Sequence, residues 1–354
     1  MASWLKGKLA AATASRSFAR FVGLLESLGD RRANLLRVLT YHRVDEPDAR
    51  PDLYPGLISA TPVEFAVQME YLSSRYRVIH MAEALDAVCG NGDLPPRAVL
   101  ITFDDAYQDF AEHAWPILRR HSLPAALFVP TAYPGDPSRA FWWDRLYQAV
   151  CRDGGGSPLK TPIGMMTRSS LLEQQSALRR LLAYGKTLSH HQLLNLIDEI
   201  VAKEIDAEQF AAPSTGCVLS WEQLRRLADE GVTLAPHTQT HPLLNRVALE
   251  EARRQAVASR EDLARETGDA APVFAYPAGV FTDEVASMLG REGFRLAFTT
   301  CRGINDTRKV DPFRLRRVNV GRRTSQPLFR AQLLPTARHL NFCWPMPKIH
   351  QNPV

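Results

Sequence analysis

The sequence predicts an α/β fold built on a parallel sheet or barrel, with a helical insertion in its middle. Three observations lead there. Short apolar runs recur along the 354-residue chain, at 36–41, 98–103, 125–129, 232–235, 273–276 and 294–300. Unbroken apolar runs of this length read as strands buried on both faces. Stretches with helical spacing separate them, and strand–helix alternation implies parallel pairing under a helical layer. Strand signal then fades from about 136 to 215, where the pattern is helical.

The elements justify themselves in order. Residues 36–41 close on Tyr41-His42. Thr61-Pro62-Val63-Glu64 is a capping box with proline at the first helical position, and it opens a helix through about Ser73. Residues 98–103 run into Asp104-Asp105, after which Phe110, Ala114, Ile117 and Leu118 give helical spacing over 107–121. The insertion opens on Phe141-Trp142-Trp143-Asp144-Arg145-Leu146, contains the loop Asp153-Gly154-Gly155-Gly156-Ser157-Pro158, and shows helical patterns at 171–183 and 191–202. It either walls a substrate cleft or is an elaboration with no role in binding. Ser220-Trp221-Glu222-Gln223 caps a helix stopped by Gly231, and Thr282 caps another ending near Gly293. The division expected is an N-terminal amphipathic segment (1–35), one catalytic domain (36–335) and a C-terminal tail (336–354).

Composition narrows the classes of function. The chain is 45% hydrophobic and 23% charged, enough for a large core, with a net charge of +5. No arginine-rich tail or nucleic-acid motif accompanies that mild excess, so nucleic acid is not expected as a partner. Cys89, Cys151, Cys217, Cys301 and Cys343 are odd in number, widely spaced and form no CxxC pair, which argues against a disulfide framework. No run approaches the roughly 18 apolar residues of a bilayer span. Trp4, Leu5, Leu9, Phe18, Phe21, Val22 and Leu25, among Lys6, Lys8, Arg16 and Arg20, make a poor secretory segment but a basic amphipathic helix. That helix either packs on its own domain or lies on a membrane surface; a cytoplasmic protein, peripheral at the inner face of the membrane, is the expectation.

The polar clusters fall where strands end, the position of chemistry in parallel α/β folds. His237-Thr238-Gln239-Thr240-His241 follows the run 232–235. Two histidines four apart share one face of a helical turn, so both imidazoles reach one metal ion. Alone, such a pair is more often two surface residues, and its place after an apolar strand changes that. Asp104-Asp105 closes the run 98–103, and adjacent carboxylates there are costly to bury unless paired or metal-bound. One of them and two histidines make an open catalytic metal site, with the other carboxylate left as a general base. Phe274-Ala275-Tyr276-Pro277-Ala278-Gly279 is a strand running into a tight loop whose backbone N–H groups suit an oxyanion. His42 is either a general acid or a core histidine.

Thr102-Phe103-Asp104-Asp105, His237-Thr238-x-x-His241 and Phe274-Ala275-Tyr276-Pro277-x-Gly279, in this order, resemble the polysaccharide deacetylase family, carbohydrate esterase family four, with its NodB homology domain. The resemblance runs from about Leu36 to Val320, apart from the insertion. It implies a distorted (β/α) barrel and removal of N-acetyl groups from the amino sugars of a poly- or oligosaccharide in cell-surface or exopolysaccharide biosynthesis. It implies Asp104 as base, and Asp105, His237 and His241 as ligands of a divalent metal, zinc. Thr238 would support the ligand loop, while Tyr276, Pro277 and Ala278 would hold the oxyanion or substrate. The family's usual Asp-Asp-Gly is Asp104-Asp105-Ala106 here, a mild change unless the backbone needs positive φ. The third motif lacks the arginine that contacts the base in many members, so that contact is absent or supplied elsewhere. No late acid histidine appears: Leu315-Arg316-Arg317-Val318-Asn319 ends in Asn. Tyr41-His42 instead resembles the early Tyr-His of exopolysaccharide deacetylases, which assigns the acid to His42. Trp142-Trp143 is either core or a pair that stacks on sugar faces; similar members carry aromatic segments like it, which implies a place in the cleft. Removal of an O-acetyl or N-formyl group from a lipid-linked sugar, and an inactive carbohydrate-binding protein on the same barrel, are the alternatives.

Overall fold

The computed structural model describes residues 13–27, 32–90, 92–151, 157–204 and 216–335. The six apolar runs of the sequence are strands: β1 (Leu35–Tyr41), β2 (Ala98–Asp104), β3 (Ala126–Val129), β4 (Thr233–Pro236), β5 (Val273–Ala275) and β6 (Leu296–Arg302). β7 (Leu315–Asn319) joins them. Neighbours run parallel in the order β5–β6–β7–β1–β2–β3–β4. The edge strands β4 and β5 come together without a ladder: Ala271 N–H donates to Leu234 O at 3.2 Å, and His237 Nδ1 lies 2.7 Å from Ala275 O. The sheet is thus a nearly closed, distorted (β/α) barrel.

Every residue of β1 and β2 is buried, because both faces are covered. Leu39, Tyr41, Ile101 and Phe103 meet Phe65, Met69 and Leu72 of the outer helix Pro62–Arg75. With side chains alternating along a strand, Leu36, Val38 and Leu100 face inward with Phe128, Ala275 and Leu315. Two residues beyond Leu100 and Leu315, on that inner face, stand Thr102 and Arg317, and one further step brings Asp104. The barrel interior is therefore apolar at its base and polar at the C-terminal mouth.

The capping boxes at Thr61 and Ser220 and the Thr282 cap form as the sequence indicates. The helix expected over 107–121 is broken into a π-turn at Phe110–Ala114 and a helix at Trp115–Arg120. Pro116 has no N–H to donate, so the ladder cannot run through it. Helix Leu249–Thr267, the longest described, was not anticipated.

The insertion contains helices Trp142–Val150, Leu171–Gly185 and His190–Glu204 around their own core of Leu146, Leu178, Leu181, Leu193 and Ile197. It also carries a small antiparallel pair, Leu159–Thr161 with Gly164–Met166, that the sequence pattern did not signal. Most of the expected 153–158 loop, and the tail at 336–354, lie outside the described residues. At the N-terminus, helix Arg16–Ser27 buries Val22 and leaves Phe21 and Leu24 exposed. Trp4, Leu5, Lys6, Lys8 and Leu9 lie outside the described residues. Among the described residues no helix is long and apolar enough to cross a membrane.

Candidate active site

Parallel strands bring their C-terminal ends to one rim, and the polar clusters meet there. β2 delivers Asp104 and Asp105, only 3% and 2% exposed. The chain leaves the strand through two left-handed residues in succession, Asp105 (φ 74°) and Ala106 (φ 52°). The backbone thus does require positive φ where the family usually has glycine, and Ala106 adopts it against the Cβ penalty of about 1–2 kcal/mol.

Asp104 is gripped by Arg317, whose Nη1 and Nη2 each donate at 2.8 Å to a separate carboxylate oxygen. Arg317 Nε donates to Thr299 O at 2.7 Å, which fixes the guanidinium plane. Burial pushes the Asp104 pKa up, but Arg317, aided by His237 and His42, takes it well below the usual carboxylate range. The arginine contact missing from the third motif is supplied by β7.

Asp105 faces the two histidines. Its Oδ1 lies 3.5 Å from His237 Nε2 and 3.3 Å from His241 Nε2. The three ligand atoms lie within 4.8 Å of one another, and Oδ1 is buried without a hydrogen-bond partner. Ligands about 2.1 Å from one ion in a tetrahedron stand roughly 3.4 Å apart. The spacing, the orphaned oxygen and the N,N,O donor set fit one divalent cation. His237 is oriented by its Nδ1 contact with Ala275 O, the second bond that metal-ligating imidazoles usually make. Burial lowers the pKa of both rings. Asp105 and Asp104 more than offset this at His237, which ends raised, while His241 is pushed down to about 3. Rings 4.9 Å apart disfavour two positive charges.

The residues from His237 to His241 form no helical turn, which corrects the sequence expectation. Thr238 (φ 65°) and His241 (φ 59°) are left-handed and fold the loop so that both rings converge. Thr238 Oγ1 accepts from His241 N–H at 3.0 Å, a contact that braces the loop. Gln255, unanticipated, accepts from Gln239 N–H and Thr240 N–H at 3.0 and 2.9 Å.

His42 follows β1 at the same rim, half-buried, its backbone N–H held by Ser59 Oγ at 3.0 Å. It is close enough for its charge to act on both Asp104 and Asp105. At the end of β5, Ala278 is exposed with φ 52°, and Gly279 (φ 71°) lies so close to Thr300 that a Cβ would sit 2.3 Å from its backbone nitrogen. Pro277 is buried.

Three substrate assignments need correction. Tyr276 turns out of the cleft: its hydroxyl donates to Phe313 O at 3.0 Å and its ring stacks on Phe281 at 4.2 Å. Trp142 and Trp143 are only 6% and 7% exposed, so neither offers a free face to a sugar. Trp142 packs in the insertion core. The Trp143 ring stands against His241, centroids 4.9 Å apart, and its Nε1–H donates to Tyr107 Oη at 2.7 Å. An aromatic pair at a helix start serves core or cleft equally well, so the sequence could not separate the two.

A barrel with an Asp-His-His cluster that could hold one metal ion, and a clamped second carboxylate at its mouth, is the arrangement of an α/β hydrolase site. The family model for polysaccharide deacetylases matches residues 91–297, more than half of the chain. The chain belongs to the polysaccharide deacetylase family. It is similar to the poly-beta-1,6-N-acetyl-D-glucosamine N-deacetylase of Staphylococcus epidermidis, 29% identical over 110 residues, covering 29% of this chain and 38% of that one. It is also similar to the enzyme of the same name from Escherichia coli K12, 32% identical over 87 residues, or 25% of this chain and 12% of the other. The matches thus span well under half of these relatives. Among solved structures, the Streptococcus pyogenes deacetylase PplD in complex with acetate superposes with a TM-score of 0.56 at 18% identity, over 85% of this chain and 98% of that one. IcaB from Ammonifex degensii gives 0.56 at 21% identity, over 86% and 98%. These likenesses bear on the fold.

Proposed function

We propose that this protein is a metal-dependent N-deacetylase acting on N-acetylated amino sugars of an exopolysaccharide, a β-1,6-linked N-acetylglucosamine polymer being the favoured substrate. The observation that carries the reading is the pair of aspartates at one strand end. Asp105 Oδ1 is orphaned between two imidazoles, and Asp104, beside it, is locked in orientation by Arg317, which holds its pKa well below the usual carboxylate range. The printed names of the curated relatives supply the substrate class.

Asp105, His237 and His241 would hold the divalent cation, zinc. Bound there, it supplies Lewis acidity toward the acetamide carbonyl and lowers the pKa of adjacent water. Asp104 takes the proton from the attacking water, and Arg317 keeps the accepting oxygens in place. The loop at Ala278 presents its backbone toward the oxyanion. His42 donates a proton to the departing nitrogen as the C–N bond breaks, which yields acetate and a free amine.

Acetate release from β-1,6-linked N-acetylglucosamine oligomers, measured with added zinc and with a chelator, tests this. Release that depends on metal supports the reading. Release only from O-acetylated or N-formylated sugars would replace the substrate class, and release indifferent to chelation would remove the metal from it.

A further inference from the structure

His237 and His241 sit in the same cluster but are held differently. His237 is oriented by a hydrogen bond from its second nitrogen to Ala275 O, whereas His241 Nδ1 is buried with no hydrogen-bond partner among the described residues. A ligand imidazole without that bond rotates freely unless something packs against it. For His241 the packing comes from the insertion. The Trp143 ring meets it at 72° with centroids 4.9 Å apart, and Phe141 backs Trp143 in a parallel stack at 4.5 Å.

Trp143 is itself fixed. Its Nε1–H donates to Tyr107 Oη at 2.7 Å; the Tyr107 hydroxyl donates to Asp144 Oδ2 at 2.8 Å; Asp144 Oδ1 accepts from Tyr54 N–H at 2.7 Å. Tyr107 and Asp144 are fully buried, and the Arg43 guanidinium lies 5.4 Å from the centre of the Tyr107 ring. The side-chain polar atoms of Trp143, Tyr107 and Asp144 all have partners, the condition under which a buried network rigidifies its surroundings. Tyr107 is the node: it follows Asp105 by two residues and ties the ligand strand to the helix Trp142–Val150.

We propose that Trp143, clamped by the Tyr107–Asp144 hydrogen-bond chain, is a positioning residue that sets the His241 ring for metal binding. The insertion is then part of the metal site's scaffold. This inference rests on the metal reading of the Asp105–His237–His241 cluster, and not on the substrate.

The experiment measures zinc and cobalt affinity, by competition with a chelator, on full-length Tyr107→Phe, Trp143→Phe and wild-type protein, with melting temperature recorded in parallel. Tyr107→Phe keeps the ring but frees the indole, so zinc affinity falls about 10–100-fold, the range for loss of an outer partner. The absorption spectrum of the cobalt form shifts with it. Ile200→Ala, a change in the same core on the helix His190–Glu204, lowers the melting temperature and leaves affinity unchanged. Wild-type affinity and cobalt spectrum in folded Tyr107→Phe and Trp143→Phe would overturn the proposal. Equal affinity loss in Ile200→Ala would also overturn it, by showing a general effect of stability. If wild-type protein binds neither metal, the metal reading falls and this inference with it. Metal binding without acetate release would remove only the substrate assignment.

Discussion

Arg317 holds Asp104 by two parallel bonds of 2.8 Å, one to each carboxylate oxygen, across 213 residues of sequence. Both side chains are buried, at 0% and 3% exposure. A buried pair stabilises little in net terms, but breaking one costs about 3–5 kcal/mol because the survivor stays charged in a dry site. Its use here is orientation: the pair fixes how the Asp104 oxygens are turned beside the Asp105–His237–His241 cluster.

Coupling between the two follows. Asp104→Asn and Arg317→Gln should each destabilise the protein, and the double variant should be less destabilised than the sum by more than about 1 kcal/mol. Chemical denaturation of the four proteins checks this. Additive effects would mean that the bidentate contact carries no coupling in solution.

Asp104 and His237 should separate chemistry from ligation. Asp104→Asn abolishes turnover while zinc content, measured by elemental analysis, stays near wild type. His237→Ala loses both, since it removes one of three ligand atoms. Near-normal turnover in Asp104→Asn would withdraw the base assignment.

What the sequence disclosed depended on the range of each signal. The strands were legible because burial on both faces writes a local apolar run, as in β1 and β2. The ligands were legible because strand ends collect them. β7 was harder: Leu315-Arg316-Arg317-Val318-Asn319 holds no unbroken apolar run, and only the barrel shows that it is a strand and that Arg317 meets Asp104. The same holds for Tyr107 and Asp144, whose contact joins residues 37 apart. The spacing of His237 and His241 suggested a helical turn, yet left-handed Thr238 and His241 achieve the convergence another way. Positive φ in non-glycine residues leaves no mark in composition.

Asp144 gives a pH dependence of defined sign. Burial raises its pKa to about 7, with Asp105 adding to the rise against Tyr54, Tyr107 and Arg43. A folded pKa above the unfolded value of about 3.9 means that the native state binds the extra proton. Stability from this group is intact below about pH 4 and is lost as pH rises toward 7, by on the order of 1 kcal/mol per pH unit. Asp144→Asn removes the titration, so its stability relative to wild type should improve steadily across that window. Urea denaturation at pH 4.5, 5.5, 6.5 and 7.5 measures the trend, and parallel profiles for the two proteins would refute it.

The acid role proposed for His42 permits a decisive comparison. β1 and β7 are adjacent, with Thr40 paired to Asn319, so a histidine after β1 occupies the rim beside the strand that ends in Asn319. Its backbone N–H is held by Ser59 Oγ, and Asp104 and Asp105 both lie within reach of its charge. His42→Ala should lower kcat by roughly 10²–10⁴, the range for loss of one acid or base. Zinc affinity should stay within a factor of two or three of wild type, since His42 is not one of the three clustered ligand residues. A sharper distinction comes from the leaving group. An activated acetate ester such as a nitrophenyl acetate departs without a proton, so its hydrolysis should be nearly unaffected by His42→Ala while deacetylation of the amino sugar collapses. A histidine that only packs would lower the melting temperature and slow both substrates in proportion to the folded fraction. Equal slowing of the two at full folding would show that His42 acts on attack by water and not on departure of the amine.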